Sequence, residues 1–349
     1  MKLLVITQKV DKNDPILGFF HRWVEEFAKH VEQVTVICLE KGEYNLPGIK
    51  VLSLGKEEVR SRLKYIWRFY KYLWQERNNY DTVFVHMNQE YVLLAGLWWR
   101  VTGKKVTMWR NHHAGNRLAD LAVLFCHKVF CTSRFSYTAK FKNNILMPVG
   151  INLEIFNLVD EKLEQRKRKV LFLARLSPVK KPNVLMAALR RLADWDVDFI
   201  ANFYGDNLPS DHDWAEALKQ DVAGSSLAKY VSFHAGVPNY QTPDIYRSHE
   251  VFVNLSSSGM YDKTIFEAMA CGCLVLVCNQ NLVGKIDDRL IFKEDDFVGL
   301  AQKLKELLIL DSTEKNRLLC MLQKYVAENH SLELLAKKLT TYLKELNKD

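Results

Sequence analysis

Phe266-Glu267-Ala268-Met269-Ala270-Cys271-Gly272 is the stretch that decides the reading of this chain. Apolar residues surround a single carboxylate, which predicts a helix buried on most sides and carrying an acid near its start. The helix opens at Asp262-Lys263-Thr264, where backbone amides without intrahelical partners can face an anion. An acid in such apolar company needs a partner. Earlier in the same half stand two fixed cations, Arg175 and Lys180, just beyond a predicted strand. Cations for phosphates, helix-start amides beside them and an acid for ribose hydroxyls are the parts that hold a nucleotide diphosphate.

The 349 residues are too many for one ordinary core and imply two domains of roughly 100–200 residues. Apolar residues make up 48% and charged residues 26%, the profile of a soluble globular protein. The opening run Leu3-Leu4-Val5-Ile6 is far shorter than a membrane span, and it lacks the apolar region and cleavage site of a secretory signal. A cytoplasmic location is the expectation. The seven cysteines form no CxxC pair and no zinc-like Cys/His set, so they read as buried reduced thiols.

The net charge of +8 is unevenly placed. Residues 1–156 carry 23 Lys and Arg against 14 Asp and Glu, whereas the remainder carries 26 against 27. The basic first half therefore expects something anionic, such as a membrane surface, a phosphorylated lipid or a nucleic acid.

Residues 2–7, 34–39, 82–86, 106–109 and 128–132 are short apolar runs that alternate with helical patterns, the first helix over 20–30. The pattern restarts after Gly150-Ile151-Asn152, with strands expected at 170–174, 198–204, 231–234, 251–255 and 274–277. Such alternation predicts parallel sheets covered on both faces. The charged stretch 160–169 reads as an interdomain connection, and residues 331–349 as a terminal helix with a Ser cap.

In a parallel sheet, ligands bind beyond the carboxyl ends of the strands, where Arg175-Leu176-Ser177-Pro178-Val179-Lys180 would lie. Arg175 can grip a phosphate with its fork of donors and Lys180 can add a compact charge, although a solvated basic loop would look the same. Gly205-Asp206-Asn207 and Gly236-Val237-Pro238 end the next two strands. Either could let a base approach the backbone, and either could be a simple turn. Ser256 to Glu267 then runs from a strand through small residues into the helix.

These elements occur in one order: a strand with Arg175 and Lys180, the Gly205-Asp206 turn, residues 233–236, then Glu267 to Gly272. With Gly18, the strand-then-His of 106–112, and Met147 to Phe156 at the domain junction, they cover nearly the whole chain. The set resembles the GT-B retaining glycosyltransferases of family 4, also described as glycosyl transferases group 1. The resemblance implies an α/β fold of two Rossmann-like, doubly wound parallel-sheet domains facing a central cleft. It implies an acceptor-binding domain over 1–157, a linker over 158–168 and a nucleotide-sugar domain over 169–330. A C-terminal helix over 331–349 would cross back to the first domain.

Roles follow from the resemblance. Arg175 and Lys180 would bind the donor diphosphate and stabilise the leaving group. Glu267 would hold the ribose hydroxyls, the amides of Lys263 and Thr264 would touch phosphate, and Gly18 would open the N-terminal loop. Gly205 and Val237 would line the nucleotide. His112 would position the transferred sugar, with His113 as a rival for that role. No metal or other cofactor is expected. The family usually has a further glutamate at the position of Gly259, where this chain has no side chain. Asp262 either takes over that contact with the donor sugar or caps the helix.

The segment from Arg60 to Arg77 has Leu63, Ile66, Trp67, Tyr70, Leu73 and Trp74 at helical spacing, flanked by Arg60, Lys64, Arg68 and Lys71. The stripe reads mostly as core, with the basic flank, Trp67 and the nearby Trp98-Trp99-Arg100 making a peripheral contact with an anionic membrane on its inner face. The resulting expectation is a transferase that moves a sugar, UDP-linked by preference, to a saccharide or lipid-linked acceptor in polysaccharide or glycoconjugate synthesis. The alternatives are a GT-B-shaped sugar-nucleotide epimerase or phosphorylase, and a non-catalytic subunit with Gly259 as its lesion. No recognised nucleic-acid module surrounds the basic segment.

Overall fold

A computed structural model describes residues 1–158, 166–259 and 261–348. The linker expected over 158–168 falls mostly outside these. The chain divides into two compact units, one formed by Met1–Gly150 with Leu332–Asp349 and the other by Ile151–Ser331.

The first unit begins β1 (Lys2–Val10), α1 (Gly18–Ala28), β2 (Gln33–Lys41), β3 (Lys50–Ser53), α2 (Arg62–Glu76) and β4 (Thr82–His86). It continues with α3 (Gln89–Val101), β5 (Lys105–Trp109), α4 (Arg117–Phe125), β6 (Lys128–Cys131) and β7 (Asn144–Leu146). The seven strands pair in parallel in the order β3-β2-β1-β4-β5-β6-β7. The central strand β4 is buried at every position, as a parallel sheet covered on both faces requires. Both edge strands, β3 and β7, escape the sequence reading. Each has only three or four residues and is half-exposed, so neither shows the apolar run of the central strands.

The second unit holds β8 (Lys169–Leu173), α5 (Pro182–Asp194), β9 (Ile200–Tyr204), α6 (His212–Ala223), β10 (Val231–His234) and α7 (Thr242–Arg247). It ends with β11 (Val251–Asn254), α8 (Lys263–Ala270), β12 (Leu274–Val277), α9 (Phe297–Ile309) and α10 (Ser312–His330). Its five strands are again parallel, in the order β10-β9-β8-β11-β12. Helices α5 and α9 pack together, as do α8 and α10.

The last helix, α11 (Leu332–Glu345), belongs to the first unit. Its Leu335, Leu339 and Leu343 join Phe20, Trp23 and Phe27 of α1 in the core on one face of the seven-stranded sheet. On the other face, α2, α3 and α4 supply Phe69, Leu73, Tyr91, Trp99 and Ala122 to a second core.

Helix α2 corrects one expectation. The aromatic stripe is not mostly core: Leu63, Ile66, Trp67, Tyr70 and Trp74 are exposed, and only Leu73 of the stripe is buried, while Trp99, expected beside the membrane contact, lies in the core. The helix carries two apolar stripes at helical spacing. Tyr65, Phe69, Tyr72 and Leu73 meet the sheet, so the second stripe is turned outward.

Candidate active site

All strands of the second unit run the same way, so the loops after β8, β9, β10 and β11 gather at one edge of the sheet. Strand order reverses between β8 and β11, and a ligand crevice forms where neighbouring connections diverge in this way. Arg175, Gly205, Gly236 and the segment from Ser256 to Thr264 all lie at this edge.

Helix α8 starts here because Asp262 caps it, Oδ1 accepting from the Thr264 amide at 3.4 Å and the Thr264 hydroxyl at 2.9 Å. It ends at Gly272, whose φ of +78° suits the left-handed turn that stops a helix. A side chain there would also strike Leu158. Gly205 has a comparable constraint, since a Cβ would lie 1.9 Å from the Ala174 oxygen. The β8 and β9 loops can meet only because that position is bare.

Lys180 donates to Asp262 Oδ2 at 2.6 Å and to Ser256 Oγ at 3.1 Å, and Ser256 donates to the same carboxylate oxygen at 2.9 Å. Burial opposes charge on Asp262, yet Lys180, Ser256 and Thr264 hold its carboxyl well below the usual range. Asp262 therefore caps α8 and holds Lys180, with both oxygens in use. Arg175, in contrast, is exposed and makes no side-chain hydrogen bond or ion pair among the described residues.

Glu267 is 2% exposed. Its Oε1 accepts from Asn239 Nδ2 and its Oε2 from the Tyr246 hydroxyl, each at 3.2 Å. Burial pushes this carboxyl up and the Lys263 ammonium down, and their mutual attraction counters both shifts. Val237 is half-buried in the loop after β10, and Gly259 is buried in the turn before α8. Sequence reading missed Asn239 and Tyr246, which are ordinary polar residues until the fold brings them to Glu267.

The first unit presents Gly18 and His112 at the carboxyl edge of its own sheet. A Cβ on Gly18, which opens α1, would approach the Lys12 oxygen to 3.0 Å. His112 follows β5 on an exposed loop, stacked against His113 at 4.6 Å. His112 Nδ1 lies 3.0 Å from the Ala114 amide and 3.2 Å from the Ala114 carbonyl, so the ring is anchored to the loop through that nitrogen. Asn111 Oδ1 fixes this loop by accepting from the Thr132 amide, the Thr132 hydroxyl and the Ser136 hydroxyl. Arg110 donates to Gln89 and to the Ala114 carbonyl. Both lie in the run Trp109-Arg110-Asn111-His112, where nothing in the sequence marks their partners.

Arg60 just before α2 and Lys64 and Lys71 on it are exposed, with Lys71 lying 5.0 Å over the Trp67 ring. Arg68 is not a free cation: it pairs with Glu58 at 2.7 Å and donates to the Leu54 carbonyl. Among the described residues no group of three or more His, Cys, Asp or Glu could hold a metal. No helix there is long and apolar enough to cross a membrane.

Residues 167–309 match the family model described as glycosyl transferases group 1, and residues 16–109 match the model described as glycosyl transferase 4-like. Anabaena HepE, solved with UDP-glucose, superposes with a TM-score of 0.78 at 14% identity, covering 99% of this chain and 100% of that one. A glycosyltransferase from Rickettsia africae ESF-5 gives 0.78 at 18% identity, and sucrose-phosphate synthase from Thermosynechococcus elongatus 0.78 at 15%, each over 100% of both chains. No curated protein sequence matches the chain. The architecture is that of the GT-B glycosyltransferases. The two models, matched in chain order, mark the chain as a glycosyltransferase whose residues 167–309 form a glycosyl transferases group 1 domain.

Proposed function

We propose that this enzyme transfers a sugar, with retention, from a UDP-sugar to a saccharide or lipid-linked acceptor in polysaccharide or glycoconjugate synthesis. The observation that carries the reading is the gathering of Arg175, Lys180 and the start of α8 at the switch point of the second sheet. The solved HepE complexes, which contain UDP and UDP-glucose, support UDP as the carrier.

Arg175 meets the diphosphate with an unengaged guanidinium, while Lys180 exchanges Asp262 for phosphate oxygen. The bond between the anomeric carbon and the diphosphate oxygen breaks with its electron pair on oxygen, where the two cations stabilise it. The acceptor hydroxyl adds to the same face, and its proton passes to the departing phosphate oxygen. Glu267 receives the ribose hydroxyls, while Gly205 and Val237 let the nucleotide lie against backbone. His112 Nε2 holds the transferred sugar, and Gly18 keeps the first loop clear of the diphosphate. The reaction uses protein cations without a metal, in the cytoplasm and at the inner face of a membrane.

With both Asp262 oxygens committed and no side chain at Gly259, donor-sugar hydroxyls must be read by other groups. A thermal-shift screen of UDP-, GDP- and ADP-sugars tests the donor, because a ligand that binds only the folded state stabilises it. UDP-sugars should raise the midpoint, and Arg175→Ala should abolish the rise. Equal shifts with all three nucleotides, or none, would refute the UDP reading.

A further inference from the structure

Exposed large apolar side chains concentrate on one face of the first unit. Leu63, Trp67 and Trp74 on α2 are 81%, 62% and 62% exposed, Leu97 and Val101 on α3 are 63% and 79%, and Leu124 on α4 is 75%. These three helices form a single layer. Tyr70 of α2 donates to the Leu94 carbonyl of α3 at 2.7 Å, and Gly96 of α3 lies close against Phe125 at the end of α4. Their inward residues share one core, so the outward residues share one surface. Six such residues left in water on adjoining helices are far more than scattered apolar exposure accounts for.

The charge on this face is one-sided. Arg60, Arg62, Lys64, Lys71, Arg100 and Arg117 are exposed there. Of the acids on the three helices and the loop before α2, Glu76 is buried against Lys50, Asp120 is taken up by Tyr137 and Lys140, and Glu58 pairs with Arg68, which leaves Glu57 and Glu90 against these six cations. Tryptophan prefers the boundary between water and acyl chains, and lysine stems reach along apolar surface while the ammonium stays in water. Lys71 stacked over Trp67, and Arg77 over Trp74 at 4.3 Å, already place cation and ring side by side.

We propose that the outer face of α2, α3 and α4 is a docking surface for an anionic bilayer, with the tryptophans and leucines entering the headgroup–acyl boundary and the basic residues meeting lipid phosphates. The proposal rests on the membrane-side location given above and deepens it: attachment is by apolar insertion across three helices, with charge in a supporting part. Acidic lipid is favoured over a protein partner by the excess of exposed cations on this face and by the cation–tryptophan pairs of Lys71 with Trp67 and Arg77 with Trp74.

The full chain is tested by co-sedimentation with phosphatidylglycerol–phosphatidylcholine vesicles and with phosphatidylcholine vesicles, at low and high salt. Binding should require the anionic lipid and weaken with salt, and tryptophan emission should shift to the blue. Trp67→Ala with Trp74→Ala should weaken partition at least tenfold. Lys64→Gln and Lys71→Gln should each weaken it about fivefold. Ile309→Ala and Met321→Ala, at exposed apolar positions of the second unit, should leave it unchanged. No binding to anionic vesicles, or equal binding by the tryptophan variant, overturns the proposal. So does sedimentation showing that the same face instead joins two copies of the chain. UDP thermal shifts are read on the same preparations. Lost vesicle binding with a retained shift strikes the surface alone, whereas vesicle binding without a shift supports the surface and strikes the donor reading.

Discussion

Lys180 and Asp262 form a 2.6 Å ion pair between the loops that follow β8 and β11. The cation assigned to the diphosphate is thus already held by a carboxylate that also caps α8. In the proposed reaction an incoming diphosphate would compete with Asp262 for the ammonium instead of meeting a free charge. The pair fixes where Lys180 sits at the cost of some donor affinity.

Asp262→Asn separates these two effects. Asparagine caps a helix about as well as aspartate, so folding should survive. Removing the competing charge should tighten UDP binding roughly fivefold or more, from about 1 kcal/mol between unit charges at 4 Å even in a water-like medium. Transfer should slow, because Lys180 loses its anchor. Calorimetric UDP titration beside a turnover assay checks both; weaker UDP binding would rule out the competition.

Arg175 and Lys180 should differ in stability though not in importance for transfer. Arg175→Ala should cost a hundredfold or more in rate and leave the unfolding midpoint almost unmoved, since the side chain is exposed and has no polar partner among the described residues. Lys180→Ala should cost a similar factor in rate, and also about 1–3 kcal/mol of stability, by leaving the half-buried Asp262 without its cation. Denaturant unfolding of the two variants gives the comparison.

Asn111 should act through His112. Asn111→Ala removes the acceptor for three hydrogen bonds from Thr132 and Ser136, so transfer should fall while the UDP thermal shift stays as before. Asn111→Asp keeps the accepting oxygen and should restore most of the rate. Equal loss in both variants would argue against a positioning role.

Acid should weaken the second unit. His249 accepts from Asn202 and is held near pKa 4 by burial, and burial brings His330 to about 3. Both lie below the ordinary 6.5, so the unfolded chain binds more protons between those values. Stability contributed by the neutral rings is complete above about pH 6.5 and is lost as pH falls toward 4. The slope is about 1.4 kcal/mol per pH unit for each group. Denaturation at a series of pH values should show this slope, roughly halved in His249→Asn.

The buried strands were legible because a strand covered on both faces must be apolar throughout. β4 and β12 are buried at every position and lie where the apolar runs put them, whereas β3 and β7, short and half-exposed, lack that requirement. The α2 register was not legible, since two apolar stripes satisfy the same helical period and only the sheet selects between them. At the site, Arg175, Lys180 and Glu267 stood out by residue type and order. The double duty of Asp262 did not, because a cap and an ion pair leave the same letter in the sequence. Asn111, Asn239 and Tyr246 acquire meaning only from partners distant along the chain.

The placement of α11 has a consequence for the order of synthesis. The second unit begins and ends at neighbouring points, with the Ile151 amide donating to the His330 carbonyl at 2.8 Å and a bridge from Ile151 to Ser331. It is an insertion within the first unit, and all its strands and helices emerge from the ribosome before Leu335, Leu339 and Leu343 do. The half begun first is therefore finished last. Until α11 arrives, one face of its sheet lacks its cover and depends on chaperones or on speed to stay unaggregated.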